Sequence, residues 1–238
     1  MPNIIDPYKF DGLNLRTRYL ADPFNGVESS SNVADWGDIR GSYDLLQATA
    51  ARQPDLGTRT QNSLDVIDFD GVDDFLQGET NSGSILDLPA TFFLVMKTDT
   101  TSVNQRVFSR YQSGTINGNI EFRVIGSTGT FYLTVRDDTA NNIVGVTGTT
   151  SPVIISMVAD GVNPMELYVN GGTATTTAMA GTFANDSDGR FTFGSRELSA
   201  PFHPLDGWIG EFRSYGKALS TAEREGVRDE LNSYWAIY

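Results

Sequence analysis

Short segments in which apolar and polar residues alternate recur along most of the chain, and turn residues separate them. NIEFRVI at 119–125 and TFYLTVR at 130–136 repeat every second position, which is the period of a half-buried strand. The regular spacing predicts an all-β sandwich of antiparallel strands. The other segments are TFFLVMKT at 91–98, RVFSRY at 106–111, PVIISMVA at 152–159, MELYVN at 165–170, TATTT at 173–177, RFTFGS at 190–195 and WIGEFRSY at 208–215.

Two local motifs add a hairpin and a helix. The Asn170-Gly171 pair tolerates the positive φ angles of a tight turn, so strands 166–169 and 173–177 are predicted to pair. In LSTAEREGVRDELNSYW, Ser220 and Glu223 have the spacing of a capping box, which predicts a helix from about Thr221 to Ser233. Its apolar stripe is expected to dock on the sandwich through these residues: Val227, Leu231 and Tyr234 or Trp235.

The stretch DVIDFDGVDDFL at 65–76 is rich in aspartate and raises the question of a site. Strand alternation turns Ile67 and Phe69 inward and Asp68 and Asp70 outward, and Gly71 then ends the strand. The acids are therefore interpreted as a solvated face followed by turn chemistry. Two alternatives stay open, an irregular calcium site and a pair of catalytic acids. The residues concerned are Asp70, Asp73 and Asp74 for calcium, and Asp68 and Asp70 for glycoside hydrolysis.

Composition and charge narrow the classes of partner. A length of 238 residues favours one large β domain, and 39% apolar residues suffice for a core. A net charge of −13 makes nucleic acid and anionic membrane surfaces unfavourable binding partners, because like charges repel. No apolar run approaches the roughly 20 residues that span a bilayer, and the first residues lack the pattern of a secretory signal. The absence of cysteine removes disulfides and thiolate metal sites.

The remaining candidate residues have ordinary structural interpretations. His203, the only histidine, lies between two prolines in a predicted loop, so sites that need several histidines are excluded. Aromatic platforms for sugars are available, although the two tryptophans among them are expected to pack in the core or to cover its edge. These aromatic residues are Trp36, Tyr43, Tyr111 and Trp208.

Five motifs in a fixed order resemble the laminin-G-like, concanavalin A-like jelly roll of bacterial surface proteins and bacteriophage virion proteins. The resemblance runs from about Leu13 to Trp235, and Arg40 stands where that family usually has Ser. The motifs are DWGDIRGSYDLLQATAARQP at 35–54, FDGVDDFL at 69–76, LYVNG at 167–171, FTFGS at 191–195 and DGWIGEFRSYGKALSTAERE at 206–225. The resemblance implies two antiparallel sheets closed by one C-terminal helix, and it implies function far less.

The hydrolases that share this fold, laminarinases and lichenases, carry a Glu-x-Asp-x-Glu type of strand. Glu121, Glu166 and Glu211 each stand alone on their strands, so that catalytic assignment does not carry over. The chain is predicted to be non-catalytic and to need no cofactor.

The segment MPNIIDPYKF has no counterpart in the resemblance. We therefore divide the chain into an N-terminal arm, residues 1–12, and a jelly-roll domain, residues 13–238. The arm is predicted to dock on a partner or on a second copy of the chain through four apolar residues: Ile4, Ile5, Tyr8 and Phe10.

Three functions follow from these patterns. The first is a bacteriophage virion component, such as a capsid decoration, that binds other virion proteins, forms a homo-oligomer and is made without a signal peptide. The second is a secreted or surface carbohydrate-binding module whose glycan-binding residues are unknown. The third is a glycoside hydrolase using Asp68 and Asp70.

Overall fold

The computed structural model describes residues 10, 12–21, 32–41, 43–111, 117–185, 189–196 and 202–238. In this part of the chain, sixteen strands form two antiparallel sheets of eight strands each, followed by one α-helix. The predicted jelly-roll sandwich with a C-terminal helix is confirmed.

Sheet I has the order β14-β13-β12-β7-β16-β5-β4, and β1 also pairs with β16. Its strands are β1 (Leu15–Leu20), β4 (Asp55–Gln61), β5 (Leu64–Asp70), β7 (Ala90–Thr98), β12 (Val153–Ala159), β13 (Met165–Val169), β14 (Thr175–Thr177) and β16 (Asp206–Tyr215). Sheet II has the order β11-β10-β9-β8-β15-β6-β3-β2. Its strands are β2 (Asp35–Trp36), β3 (Leu45–Leu46), β6 (Leu76–Gly78), β8 (Gln105–Tyr111), β9 (Ile120–Ile125), β10 (Thr130–Arg136), β11 (Asn141–Thr147) and β15 (Arg190–Phe193).

The main core lies between the two sheets. Each strand turns alternate residues inward, and the aromatic ones meet at the centre, where the rings of Phe191 and Phe193 are 4.7 Å apart. Trp36 is fully buried there, and its indole Nε1 donates to the carbonyl of Leu20 at 3.0 Å. Trp36 was a candidate for sugar binding, but its burial in the main core leaves it no surface for a sugar.

The predicted hairpin is confirmed between β13 and β14. Asn170 and Gly171 both have positive φ, 50° and 69°, as a tight turn between twisted strands requires. The amide of Gly172 then closes the turn on the carbonyl of Val169 at 2.9 Å.

The helix α1 (Thr221–Trp235) begins where the sequence predicts and ends two residues later. Ser220 and Glu223 form the predicted capping box. The stripe of Val227, Leu231 and Trp235 is buried against the outer face of sheet I, in a second apolar cluster that includes Val66, Phe93 and Trp208. One face of the sandwich is therefore covered by the chain itself.

A buried ion network holds α1 to sheet I. The side chain of Glu211 is fully buried, and its Oε1 accepts from Nε of Arg18 and from Nε of Arg213, each at 2.7 Å. Its Oε2 accepts from Nε1 of Trp235 at 2.9 Å. Burial by itself would raise the pKa of Glu211, but these partners hold it below its ordinary value. Arg213 also pairs with Glu230 of the helix at 2.7 Å.

Phe10 is half-buried and packs against the cluster beneath α1. A Cβ at Gly226 would lie 2.6 Å from its ring, so the ring rests on the helix backbone at that glycine. The other predicted docking residues of the arm, Ile4, Ile5 and Tyr8, lie outside the described residues.

Within the described ranges, no helix combines the length and the apolar composition needed to cross a bilayer.

Candidate functional site

The aspartate-rich stretch is mainly structural. Ile67 and Phe69 are fully buried, as predicted. Asp70 is exposed, and its Oδ1 accepts from the amides of Val72 and Asp73, as expected of turn chemistry.

The expectation that Asp68 simply faces water is wrong. Its side chain is only 19% exposed and forms a two-pronged ion pair with Arg59, in which Arg59 Nε donates to Asp68 Oδ2 at 2.8 Å. The outer face of β5 is partly covered because Val66, two residues earlier, packs beneath α1. The carboxylates proposed as catalytic acids, Asp68 and Asp70, both have structural partners.

The three aspartates of the calcium alternative lie close together. Carboxylate oxygens of Asp70, Asp73 and Asp74 lie within 4.8 Å of one another. Asp74 is the buried member, and its Oδ2 accepts from the amide of Asp70 at 2.9 Å. The turn itself accounts for these hydrogen bonds, so the cluster has a structural explanation that needs no ion.

Asp74 predicts a pH dependence of stability. Burial is the main cause that raises its pKa from 3.8 to about 7, and neighbouring carboxylates add to the shift. The unfolded chain loses this proton near its ordinary pKa while the folded chain keeps it, so stability falls as the pH rises from about 4 to about 7. Between these two pH values, the free energy of unfolding of Asp74→Asn is expected to fall by about 2–4 kcal/mol less than that of the wild type.

Urea unfolding of both proteins at about pH 4 and about pH 8 measures this contribution. Asp229→Asn, at an exposed position on α1, is the matched control and should keep the wild-type slope. A slope equal in wild type and Asp74→Asn would contradict the assignment.

The other aromatic candidates lie in different places. Trp208 is buried beneath α1, as expected, and Tyr43 is half-buried against the main core. Tyr111 is half-buried at the end of β8. His203 lies beside Phe202, with ring centroids 4.0 Å apart. Tyr111 and His203 adjoin a cluster of charges on sheet II.

Neighbouring strands bring polar side chains into two rows on the outer face of sheet II. In one row Arg106, Arg123 and Tyr132 are paired across β8, β9 and β10. In the next, Thr192, Ser109, Glu121 and Thr134 are paired across β15, β8, β9 and β10. Arg196, after β15, reaches the same place. We call this surface the arginine face; it comprises Arg106, Ser109, Tyr111, Glu121, Arg123, Tyr132, Thr134, Arg136, Thr192, Arg196 and Phe202.

Glu121 is the buried centre of the arginine face. It is fully buried, with Arg106 Nε at 3.2 Å and Arg196 Nη1 at 3.9 Å. Within the described residues, neither carboxylate oxygen of Glu121 has a partner with hydrogen-bond geometry, and the same holds for Nε of Arg123 and of Arg136. Buried polar atoms in this state are uncommon in native proteins.

The charges of this cluster do not balance. Four arginines face one glutamate, which leaves an excess of three positive charges in a chain whose net charge is −13. Burial is the main cause that lowers the pKa of Arg106 to about 10; Glu121 opposes the shift, and repulsion from the other three arginines adds to it. Burial is the main cause that lowers the pKa of Arg123; Glu121 opposes this shift, and Arg136 and Arg196 add to it. The pKa of His203 is lowered by burial and by Arg106, Arg196 and Arg123. An anion placed among these guanidinium groups would relieve the repulsion.

Aromatic rings flank the arginines. The guanidinium of Arg196 lies 4.7 Å from the ring centre of Tyr111 and 4.6 Å from that of Phe202, whose residue surface is 38% exposed. One edge of the Tyr132 ring lies against Gly145 on the neighbouring strand, where a Cβ would be 2.1 Å from the ring. The face therefore combines positive charge with aromatic surface.

Sequence reasoning did not find the arginine face, although part of the signal was present. Alternation in NIEFRVI already places Glu121 and Arg123 on the polar side of one strand. The contribution of the other arginines depends on the register between strands and on the path of the chain after β15, which spacing does not determine.

Comparison with known families decides the classification. The family described as the concanavalin A-like lectin/glucanases superfamily matches residues 76–223, more than half of the chain. The chain belongs to this superfamily. It is by fold a lectin-like jelly-roll domain. A search of curated proteins gave no significant match.

Solved structures of this superfamily's fold include carbohydrate-binding and receptor-binding domains. The CBM40 domain of the Ruminococcus gnavus IT-sialidase, bound to α2,3-sialyllactose, is 17% identical with a TM-score of 0.52; the match covers 68% of this chain and 95% of that one. A variant of the NanB sialidase from Streptococcus pneumoniae is 17% identical with a TM-score of 0.53, covering 66% of this chain and 26% of that one. The binding domain of botulinum neurotoxin DC, in complex with rat synaptotagmin II, is 12% identical with a TM-score of 0.58, covering 92% and 52%. Likeness of this degree shows the fold alone.

Proposed function

We propose that the chain is a non-catalytic carbohydrate-binding module that recognises an acidic sugar, one carrying a carboxylate, on the arginine face. The excess of three positive charges around buried Glu121 is the observation that carries the proposal. Guanidinium groups bind carboxylates through paired, charge-assisted hydrogen bonds, and Arg123 offers a half-buried guanidinium at the centre of the face.

The rest of the face suits a sugar better than a bare anion. Phe202 and Tyr132 offer surfaces for the apolar side of a pyranose ring. Ser109 and Thr134 lie on either side of Glu121 and are buried like it, so the more exposed arginine and aromatic side chains of the face make the contacts with the sugar.

The ligand is expected to be small rather than a long polyanion. Electrostatic screening limits the reach of the cluster to about 8 Å at physiological salt. A single carboxylate within that distance is attracted, whereas an extended chain of phosphates also meets the acidic remainder of the surface. The sialyllactose-binding neighbour motivates the choice of a sialylated probe.

Amide NMR titration of the whole chain with α2,3-sialyllactose, and with lactose as the matched neutral sugar, tests this proposal. We expect sialyllactose to shift the amides of Ser109, Glu121 and Thr134 in a saturable manner, and lactose to leave these amides unchanged. The affinity for sialyllactose should fall as salt is raised from about 50 mM to about 500 mM, because the attraction is between charges. Equal effects of both sugars on these amides, or none from either, would contradict an acidic-sugar site.

The sequence also predicts that the chain is a component of a bacteriophage virion, and this stays a prediction.

A further inference from the structure

A second concave site lies away from the arginine face. It is a groove of about 310 Å³ between the start of β1, the loop before β3 and the short 3-10 helix Ser82–Leu86. Its lining residues are Arg16, Tyr43, Ser84, Ile85 and Asp87, and none of them belongs to the arginine face. The volume is at the lower end of the range for small-molecule sites.

A β-bulge directs Arg16 into this groove. Leu15 pairs with Tyr215 and Thr17 with Ser214, so Arg16 is the extra residue between two consecutive pairs. Bulges re-aim side chains and recur beside functional sites. The guanidinium rests on Gly216, where a Cβ would lie 2.7 Å from Arg16 Nε.

The polar groups of the groove are only partly used. Arg16 is half-buried, and its Nη1 donates to the backbone carbonyl of Asp87; its other N–H groups make no hydrogen bond with the described residues. Asp87 Oδ1 accepts from Arg110 Nη1 at 2.5 Å, while Oδ2 has no hydrogen-bond partner among those residues. The Asp87 side chain remains 22% exposed. Arg16 can thus donate further hydrogen bonds, and Asp87 beside it can accept one.

The apolar part of the groove is preformed. Ile85 is buried beneath it, and Tyr43 is half-buried against the main core. The Tyr43 hydroxyl accepts from Ser84 Oγ at 3.0 Å, and its backbone carbonyl accepts from the Tyr19 hydroxyl. The ring of Tyr43 is therefore held in place as one wall.

We propose that this groove is a second saccharide site, specific for a neutral sugar residue with neighbouring hydroxyl groups. One hydroxyl donates to Asp87 and the adjacent one accepts from Arg16, while the apolar face of the sugar ring lies against Tyr43. Asp87 needs a hydroxyl donor, which a neutral sugar supplies and a sugar carboxylate does not, and this separates the specificity of the groove from that of the arginine face. The groove goes beyond the proposed function, because it makes the module bivalent for two classes of sugar.

Amide NMR titration of the whole chain with lactose, glucose and N-acetylglucosamine tests the groove directly. At least one probe is expected to shift the amides of Ser84 and Asp87 in a saturable manner, with a dissociation constant on the order of 1 mM. Arg16→Gln should lower that affinity at least about tenfold, as loss of a hydrogen bond from a charged donor predicts. Arg123→Gln, on the arginine face, should leave it unchanged.

Thermal unfolding of Arg16→Gln checks that the fold is intact, and Arg16→Lys provides a second variant that keeps the charge but not the planar donor pair. Failure of every neutral probe to give a saturable shift at Ser84 and Asp87 would overturn the proposal. So would equal affinity in wild type and both Arg16 variants. Loss of sialyllactose binding alone leaves the groove standing, so the two proposals fail separately.

Discussion

Replacing Glu211 by Gln is expected to lower the free energy of unfolding by about 3–5 kcal/mol, the usual cost of leaving buried charges without their partner. The side chain of Glu211 is fully buried and neutralises Arg18 and Arg213, whose side chains are each only 2% exposed. Glutamine keeps the size of the side chain but not its charge. Because α1 is held to sheet I partly through this residue, urea unfolding should show the loss in a single transition.

Glu225→Gln is the matched control for this experiment. Glu225 is exposed on α1, so the same chemical change should alter stability by less than about 0.5 kcal/mol. A quadruple variant that replaces Glu211, Glu230, Arg18 and Arg213 by methionine should regain much of the loss, because apolar side chains then replace all four members of the ion network. A change below about 1 kcal/mol in Glu211→Gln would show that the network contributes little.

The second large effect is expected on ligand binding. Arg123→Gln should weaken sialyllactose binding by about 10- to 100-fold, the range for losing hydrogen bonds to a charged group. The same change should leave the unfolding free energy unchanged or raise it, because removing one of four mutually repelling guanidinium groups relieves Arg106. Calorimetric titration and urea unfolding of the same variant measure both quantities.

Arg228→Gln controls for the loss of one positive charge. Arg228 lies on α1, on the opposite side of the sandwich, so we expect less than about a twofold change in affinity at physiological salt. Equal weakening in both variants would mean that net charge, rather than the arginine face, determines binding.

The elements of the fold with short-range signals are predicted well by the sequence. The capping box at Ser220 fixes the start of α1, and Asn170-Gly171 fixes the turn between β13 and β14. Both are local, since each signal and the structure that it specifies lie within a few residues. The predicted end of α1 is two residues early, because the cap at Ala236 is a left-handed non-glycine residue without a sequence signature.

The surroundings of the aspartates depend on parts of the chain far from them. Alternation correctly turns Phe69 inward, but it treats the opposite face of β5 as open to water. That face is partly covered because α1, more than 150 residues later, packs over Val66. Asp68 consequently needs Arg59 as a partner.

The arginine face illustrates the same limit for function. Glu121 and Arg123 share one strand, so their common direction follows from alternation. Arg106 joins them only through the register of β8 with β9, and Arg196 only through the path of the chain after β15. Each arginine alone resembles an ordinary solvated side chain, and only their convergence on Glu121 distinguishes this surface from the rest of the sandwich.

The position of α1 has a consequence for the direction in which the arginine face points. Phe10 rests on this helix, and the carbonyl of Tyr238 accepts from Asn232 Nδ2 on it, so both described ends of the chain lie behind sheet I. A carrier joined at either end would point the opposite surface outward. Many copies on one carrier would then present their arginine faces together, and contacts that are weak one at a time would add up to strong avidity.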